Sequence, residues 1–143
     1  CEIADPHTTA ARSGALFVYH HDAVYYRGIL QNISDDRIKS YEEPLTNATT
    51  QLTKLNPKRY KKHPSLILDE QNESPDLEGV RWRWENGFIA QELEAEPLLR
   101  HYVSQHPETG LRHVNYIELI PVLVQGFKEL SAEVEQLKAR LGS

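Results

Sequence analysis

The chain has 143 residues, a length that suits one domain of ordinary size. It carries 16 Lys and Arg against 21 Asp and Glu, so its formal net charge is −5. Nucleic-acid-binding domains usually present a strongly basic face, so we expect no nucleic-acid partner. No stretch of about 18 apolar residues is present, so we expect no membrane span.

The hydrophobic fraction and the single cysteine set two further limits. Hydrophobic residues make up 39% of the chain, which indicates a modest core and favours an oligomer or a long exposed helix. Cys1 is the only cysteine and cannot form an internal disulfide. The chain contains no methionine, so we expect it to be part of a longer protein.

Residues 1–33 end in an apolar, aromatic and β-branched stretch that predicts a β-hairpin with strands at 15–20 and 23–30. Two adjacent histidines, His20 and His21, lie at its turn. Neighbouring residues on a strand point to opposite faces, so this pair is poorly placed to chelate one ion. We therefore predict turn histidines rather than a metal site, and we expect no cofactor.

The next segment predicts a short helix and a basic strand. The helix is expected from Thr46 or Asn47 to Leu55, where an Asn-Pro pair ends it. The basic run 58–63 is predicted to be a solvated strand with Tyr60 turned inward, and an anion-binding patch is the alternative.

Short elements are also predicted in the middle of the chain. Residues 64–79 are acidic and contain prolines, which is typical of an exposed loop. Residues 80–84 (VRWRW) alternate with the period of a half-buried strand, and base stacking on the tryptophans is the alternative. Residues 87–96 predict a strand end followed by a short helix, and 98–103 with 111–114 predict a second hairpin.

The C-terminal part of the chain predicts one long helix over 116–141. Asn115 and Glu118 match a helix-start signature, in which the asparagine accepts first-turn N–H groups and the glutamate reaches back. Pro121 either lies near the start of the helix or kinks it. Gly126 weakens its middle by roughly 1 kcal/mol relative to alanine.

An apolar stripe follows this helix in alternating steps of three and four residues, which is the pattern of a coiled coil. The stripe residues are Ile120, Leu123, Phe127, Leu130, Val134, Leu137 and Leu141. A lone helix of this length is marginal in water, so the stripe needs a partner, either the rest of the domain or copies of itself. With Ile120 at heptad position a, Glu133 at g and Lys138 at e can pair between parallel chains. The stripe alone does not choose between two chains and three.

The segment ISDDRIK carries a possible nucleophile and a possible base. Ser34 Oγ can attack the carbonyl carbon of Ile33 once a base takes its proton, which gives an ester that water hydrolyses. Lys39 can serve as that base only as a neutral amine, a form that burial favours.

The neighbours of these two residues add constraints. Negative charge on Asp35 and Asp36 favours an ammonium, so these carboxylates must point away or pair with Arg37. An i, i+5 pair shares no face of a helix or of a strand. Contact between Ser34 and Lys39 therefore needs a turn, or a lysine from a neighbouring chain. On the residues alone, a surface turn with a capping serine is the simpler interpretation.

Three stretches, in this order, resemble the intramolecular chaperone auto-processing domain, also called the peptidase S74 family. Residues 34–39 (SDDRIK) resemble its S-D-x-R-x-K motif, and residues 87–92 (GFIAQE) resemble its G-[FV]-I-A-Q-E motif. Residues 115–130 (NYIELIPVLVQGFKEL) resemble its closing helix. The family occurs at the C-terminus of trimeric phage tail spikes and tail fibres, and within membrane-tethered myelin regulatory factors.

The resemblance implies an α+β fold for residues 34–143, with short hairpins and small helices followed by a parallel trimeric coiled coil. Residues 1–33 would then be the end of an upstream fibre or stalk segment. It implies a homotrimer that promotes folding of the upstream fibre or spike domain of the same chain. It also implies action on a virion precursor in the host cytoplasm, and shedding of the domain from the mature virion.

The resemblance also implies a serine peptidase that cuts its own chain once. The family's Ser/Lys dyad carries over to Ser34 and Lys39, and the cut bond carries over to Ile33–Ser34. The supporting motif positions are Asp35, Arg37, Gln91 and Glu92. Further candidate helpers are His101, His113 and Glu92.

Two other functions stay open from the sequence. One is a trimeric cap that only registers a viral fibre and does not cleave. The other is a receptor-binding fibre tip, suggested by the aromatic and Arg-rich run 80–84.

Overall fold

The computed structural model describes residues 27–63 and 76–142. The chain divides into two compact units, Cys1–Ser40 and Tyr41–Ser143. Most of the predicted first hairpin and both turn histidines lie outside the described residues. Residues 27–30, predicted to end its second strand, form a bend and irregular chain instead, with a left-handed φ of 115° at Gly28. The strand prediction is wrong for these four residues.

The second unit is an α+β domain, as predicted. Its described residues form two small antiparallel sheets, each of two strands, and three α-helices. In chain order the elements are α1 (Ala48–Lys54), β1 (Lys58–Lys62), β2 (Arg83–Gly87), α2 (Ala90–Ala95), β3 (Val103–Gln105), β4 (Arg112–Val114) and α3 (Leu119–Leu141). Among the described helices, none has the length and apolar character to cross a membrane.

The first sheet turns Tyr60 inward. β1 pairs with β2 so that Tyr60 lies opposite Glu85. Tyr60 is half-buried while its neighbours on β1 are exposed, which confirms the prediction of a solvated strand with an inward tyrosine. Burial, and then the neighbouring Tyr116, raise the pKa of Tyr60 to about 12.

The two tryptophans near this sheet are exposed, Trp82 by 40% and Trp84 by 50%. The strand predicted over 80–84 begins only at its fourth residue, so Trp82 precedes it. The rings of Trp82 and Trp84 meet edge to face with centroids 5.9 Å apart. The Arg59 guanidinium lies 4.6 Å from the Trp84 ring, and Lys61 Nζ lies 4.1 Å from the Trp82 ring. Cations, rather than the core, therefore cover the tryptophans.

The second hairpin is shorter than predicted. β3 pairs with β4 and places Val103 opposite Val114. Residues 98–102, expected to begin the first strand, form a turn and a 3₁₀ helix, Arg100–Tyr102. That helix places Tyr102 in the core, where its hydroxyl bonds to Gln51 of α1 at 3.0 Å.

The core of this unit is small, as the low hydrophobic fraction indicates. Its buried hydrophobic residues come from α1, α2, the 3₁₀ region and α3. They are Ala48, Leu93, Leu99, Tyr102, Leu119 and Val122. Because each helix contributes only one or two of them, the core depends on how closely α1 and α3 approach each other.

The long helix begins three residues later than predicted, at Leu119. Asn115 Oδ1 accepts from the Glu118 N–H at 3.4 Å, as one half of the predicted signature requires. Glu118, at the N-cap, makes no capping bond with its side chain. Pro121 is the third residue of the helix, where an N–H has no intrahelical acceptor, so proline is tolerated there.

One side of α3 packs against α1. Leu119, Val122 and Gly126 are the buried residues of α3, and they follow each other in steps of three and four. A side chain at Gly126 would overlap Leu52 of α1. The glycine that weakens the helix by propensity thus allows the close contact between α1 and α3.

Glu129, one turn further along the same side of α3, caps α1. The predicted cap residue Asn47 is left-handed (φ 55°) and makes no capping bond with its side chain. Instead, the Glu129 carboxylate accepts from the backbone N–H groups of Ala48 at 3.2 Å and Thr49 at 2.8 Å. The Thr49 N–H is the main cause that lowers the pKa of Glu129.

The predicted coiled-coil stripe lies on a different side of α3. Its residues, Ile120 to Leu141 in the steps given above, are between 41% and 87% exposed. From Ser131 to Leu141 every residue of the helix is exposed. The stripe is expected to pack either on the rest of the domain or on copies of itself. The described core of the domain does not cover it.

Replacing Gly126 by valine is expected to destabilise the domain by about 1–3 kcal/mol, because the added side chain forces Leu52 and α1 away from α3. Urea unfolding at fixed protein concentration measures this loss. Ala132→Val, at an exposed position of the same helix, is the matched control. Equal losses in both variants would contradict the tight contact at Gly126.

Protonation of Glu129 is expected to weaken the cap on α1. Because the folded-state pKa lies below the ordinary value of 4.5, the stabilisation is present above pH 4.5 and is lost as the pH falls through the lowered pKa. Glu129→Gln is expected to melt at a lower temperature at pH 7 and to lose less stability on acidification. Thermal melts between about pH 7 and pH 3 test this. The control is Glu135→Gln, and identical pH profiles for Glu129→Gln and wild type would refute the cap.

Candidate functional site

A tight turn forms within the first sequence motif. Asp36–Ile38 is one turn of 3₁₀ helix with Asp35 at its N-cap. The Ile38 N–H donates to the Asp35 carbonyl at 3.2 Å, and the Lys39 N–H donates to the Asp36 carbonyl at 3.0 Å. The turn reverses the chain over the residues that separate the motif serine from the motif lysine.

This turn brings the serine and the lysine into contact. Lys39 Nζ donates to Ser34 Oγ at 2.6 Å. Neither a helix nor a strand gives this contact to residues five apart, and the 3₁₀ turn does. The two side chains therefore meet within one chain, without a lysine from a neighbour.

The carboxylate next to the serine is bound by the motif arginine. Asp35 Oδ1 accepts from the Arg37 backbone N–H and from Arg37 Nε, each at 2.9 Å, and Asp35 Oδ2 accepts from Arg37 Nη2 at 2.9 Å. The side-chain bond from Arg37, and then its backbone N–H, lower the pKa of Asp35. A neutral lysine requires each aspartate either to point away from it or to pair with Arg37. Asp35 meets this requirement by pairing with Arg37.

The motif is open to solvent in the single chain. Ser34 and Lys39 are both exposed, and Ile33, on the other side of the predicted cut, is 84% exposed. A lysine acts as a base only as a neutral amine, and an apolar environment favours that form. The serine and the lysine are in contact, and neither has an apolar environment in the single chain.

The second and third sequence motifs meet in the folded domain. The Phe88 N–H donates to the Tyr116 hydroxyl at 2.9 Å, and the two rings stack with centroids 5.6 Å apart. A side chain at Gly87 would overlap the hydroxyls of Tyr60 and Tyr116. The glycine of GFIAQE therefore makes room for two tyrosine hydroxyls, one of them from the closing motif.

Residues 34–100 match the family model Peptidase_S74, described as chaperone of endosialidase. Residues 34–100 belong to the Peptidase_S74 family. The match begins at Ser34 and contains the first two motifs, and α3 lies beyond it. No curated protein matches the chain. The family description supports an intramolecular chaperone role, and the family name suggests a self-cleaving peptidase.

Two further motif residues of the Peptidase_S74 match lie on α2. Glu92 pairs with Lys58 at the start of β1 and also accepts from Asn56 at 3.5 Å, so it anchors α2 beside the first sheet. Gln91 is exposed. Within the second unit, Glu92 thus has a structural role that its position in the motif does not reveal.

The candidate helper histidines each lie against another ring. The ring centroids of His101 and Tyr102 are 3.9 Å apart. The rings of His113 and His106 stack with centroids 5.9 Å apart. Within residues 27–63 and 76–142, no three His, Cys, Asp or Glu side chains are grouped so that they could hold a metal ion.

A groove between α1 and α3 was not anticipated from the sequence. It has a volume of about 590 Å³ and lies open to solvent. Thr50 and Thr53 of α1 line one side, and the stripe residues Leu123, Phe127 and Leu130 line the other. The exposed stripe therefore forms part of a concave surface and is not an isolated ridge.

The sequence contained a signal for this groove. A second series with steps of three and four, Leu119, Val122, Gly126 and Glu129, runs beside the apolar stripe. A glycine and a glutamate interrupt its apolar character, so a search for apolar periodicity passes over it. In the folded chain, those two residues receive Leu52 and the N-terminus of α1.

Proposed function

We propose that residues 34–143 are an intramolecular chaperone that assembles three copies of a longer chain and then cuts itself off at Ile33–Ser34. The 2.6 Å contact between Lys39 Nζ and Ser34 Oγ carries this proposal. It lies at the residue where the family match begins. The upstream partner would be a fibre or spike domain of the same chain, in a virion precursor in the host cytoplasm.

The proposed cut uses the serine as nucleophile and the lysine as base. Neutral Lys39 takes the proton of Ser34 Oγ, and the oxygen attacks the carbonyl carbon of Ile33. The C–N bond between the two residues breaks, and the proton passes to the released amine of Ser34. Water then hydrolyses the resulting ester, which frees the Ile33 carboxylate and restores the hydroxyl. Asp35 and Arg37 hold the turn that keeps base and nucleophile together.

The exposed stripe of α3 supports the proposed assembly. A continuous apolar stripe on a solvated helix stabilises the helix only when it is buried against another surface. In a parallel coiled coil, Glu133 and Lys138 lie at positions that attract each other between chains. The resemblance to trimeric fibre proteins supplies the number three.

Exposure of the motif supports a link between assembly and cutting. Ile33 and Ile38 flank Ser34 and Lys39, and both isoleucines are largely exposed in the single chain. We infer that assembly covers these apolar side chains and gives Lys39 the environment in which it loses its proton. Cutting would then follow registration of the three chains.

The second candidate function is a trimeric cap that registers a fibre without cutting it. The exposure of Ser34 and Lys39 favours this alternative, because an exposed lysine is a poor base. The two candidates differ in whether the purified protein is cleaved.

A denaturing gel of purified protein is expected to show two fragments, residues 1–33 and residues 34–143, the second with Ser34 at its N-terminus. Ser34→Ala is expected to remain whole, because the nucleophile is missing. Ser40→Ala is the control and is expected to be cut like wild type. A single uncut wild-type band from an assembled protein would instead establish the non-cleaving cap.

Mixed assemblies of Ser34→Ala and Lys39→Ala chains are expected to remain uncut, because serine and lysine meet within one chain. Mass spectrometry of the co-refolded mixture measures the cut fragment. Wild type mixed with Ser34→Ala is the control, in which only the wild-type chains are cut. Cutting of the Lys39→Ala chain in the first mixture would show that the lysine acts across chains.

Phe127→Glu is expected to prevent both assembly and cutting. Burying three unpaired carboxylates in the seam costs several kcal/mol per ion. Sedimentation measures assembly and a denaturing gel measures cutting, with Lys128→Glu outside the stripe as control. A monomeric Phe127→Glu protein that cuts itself at the wild-type rate would refute the link between the two events.

A further inference from the structure

α1 lies to one side of the apolar stripe of α3. Successive residues of a helix are about 100° apart, so the series that packs on α1 is centred about 90° from the stripe. In a coiled coil of three chains, two neighbours flank the stripe, one on each side. One neighbour therefore lies on the same side as α1, next to the groove.

The groove on that side is lined mostly with apolar and small side chains. Leu123 and Phe127 form its α3 wall, and Thr50 and Thr53 form its α1 wall. Gly126, which has no side chain, forms part of its lining. Glu133, at heptad position g, is the one charged residue of the lining.

Val124 gives α3 an apolar residue outside the stripe. It occupies heptad position e and is 56% exposed. It follows Val122 by two residues, about 200° around the helix, so it faces away from α1. In a parallel coiled coil the e side of one helix faces the g side of the next, and Gly126 in the groove is at g.

We propose that the groove between α1 and α3 receives the edge of α3 from a second copy of this chain, with that copy's Val124 beside Thr53 and Leu123. The proposal rests on the trimer proposed above and adds α1 to the interface between chains. The period of the stripe matches a second copy of the same helix and fixes the occupant. The N-terminus of α1 is capped by Glu129 and Leu52 contacts Gly126, so α1 lines the groove only when the domain is folded. Assembly then selects folded domains.

A disulfide between Thr53→Cys and Val124→Cys tests this contact in the full chain with Cys1→Ser. The two positions lie on opposite sides of α3 within one chain, so their disulfide has to join two chains. Because each chain supplies both cysteines, closure around three chains gives covalent trimers on a non-reducing denaturing gel. The matched control is Thr46→Cys with Val124→Cys, since Thr46 is exposed, precedes α1 and does not line the groove.

Covalent dimers and trimers from the Thr53 pair, and monomers from the Thr46 pair, are the expected result. A reduced Thr53 pair that sediments as a trimer but does not cross-link would overturn the groove contact and leave the trimer intact. Monomeric wild type would overturn the trimer and the groove contact together. If the cysteine pair itself does not assemble, Thr53→Arg is expected to weaken association by about tenfold or more relative to Thr46→Arg. Equal association of these two arginine variants would overturn the proposal.

Discussion

The two neighbouring series of side chains on α3 are the constraint on which the rest of the structure depends. The domain buries Leu119, Val122 and Gly126 against α1, and it leaves the apolar stripe from Ile120 to Leu141 exposed. α1 alone cannot cover both series, because they are centred about 90° apart on the helix. Since a lone helix of this length is marginal in water, the outer half of α3 needs a second surface.

The small core and the contact between α1 and α3 connect folding with assembly. Gly126 lets Leu52 approach the helix backbone, and Glu129 binds the first N–H groups of α1. These contacts fix α1 beside the stripe and so form the groove. A chain whose core has not formed lacks this surface, although it still carries the stripe. We propose that the groove thereby makes assembly depend on correct folding.

The segment of the proposed cut shows the same division between local structure and proposed assembly. The 3₁₀ turn and the Asp35–Arg37 pair are formed by local contacts, and they place Lys39 Nζ on Ser34 Oγ. The apolar environment that the proposed cut requires is not local, because both side chains are exposed in one chain. A preformed contact without an apolar environment is consistent with the proposed cut after assembly.

Local patterns in the sequence predicted much of the fold. The long helix, the stop at Asn56-Pro57, the inward Tyr60 and the second hairpin all depend on spacing along the chain. Contacts between distant residues were not predictable in this way. The cap of α1 comes from Glu129, some 80 residues away, and it replaces Asn47, the residue that local rules favour.

Parts of the candidate site could not be predicted from the sequence for a similar reason. Spacing alone placed Ser34 and Lys39 on no common face, because their contact depends on a 3₁₀ turn that Asp35 and Arg37 stabilise. The role of Gly87 depends on two tyrosine hydroxyls that reach it from β1 and from the segment before α3. The motif letters identified these residues, and only the folded chain gives the physical reason for the glycine.

The molar mass of the wild-type protein in solution, measured by sedimentation equilibrium over a range of micromolar concentrations, tests the central claim most directly. The account predicts the mass of three chains, because the stripe of α3 is buried between copies. A protein that keeps the mass of one chain at the highest concentration, with α3 helical over its whole length, would contradict it.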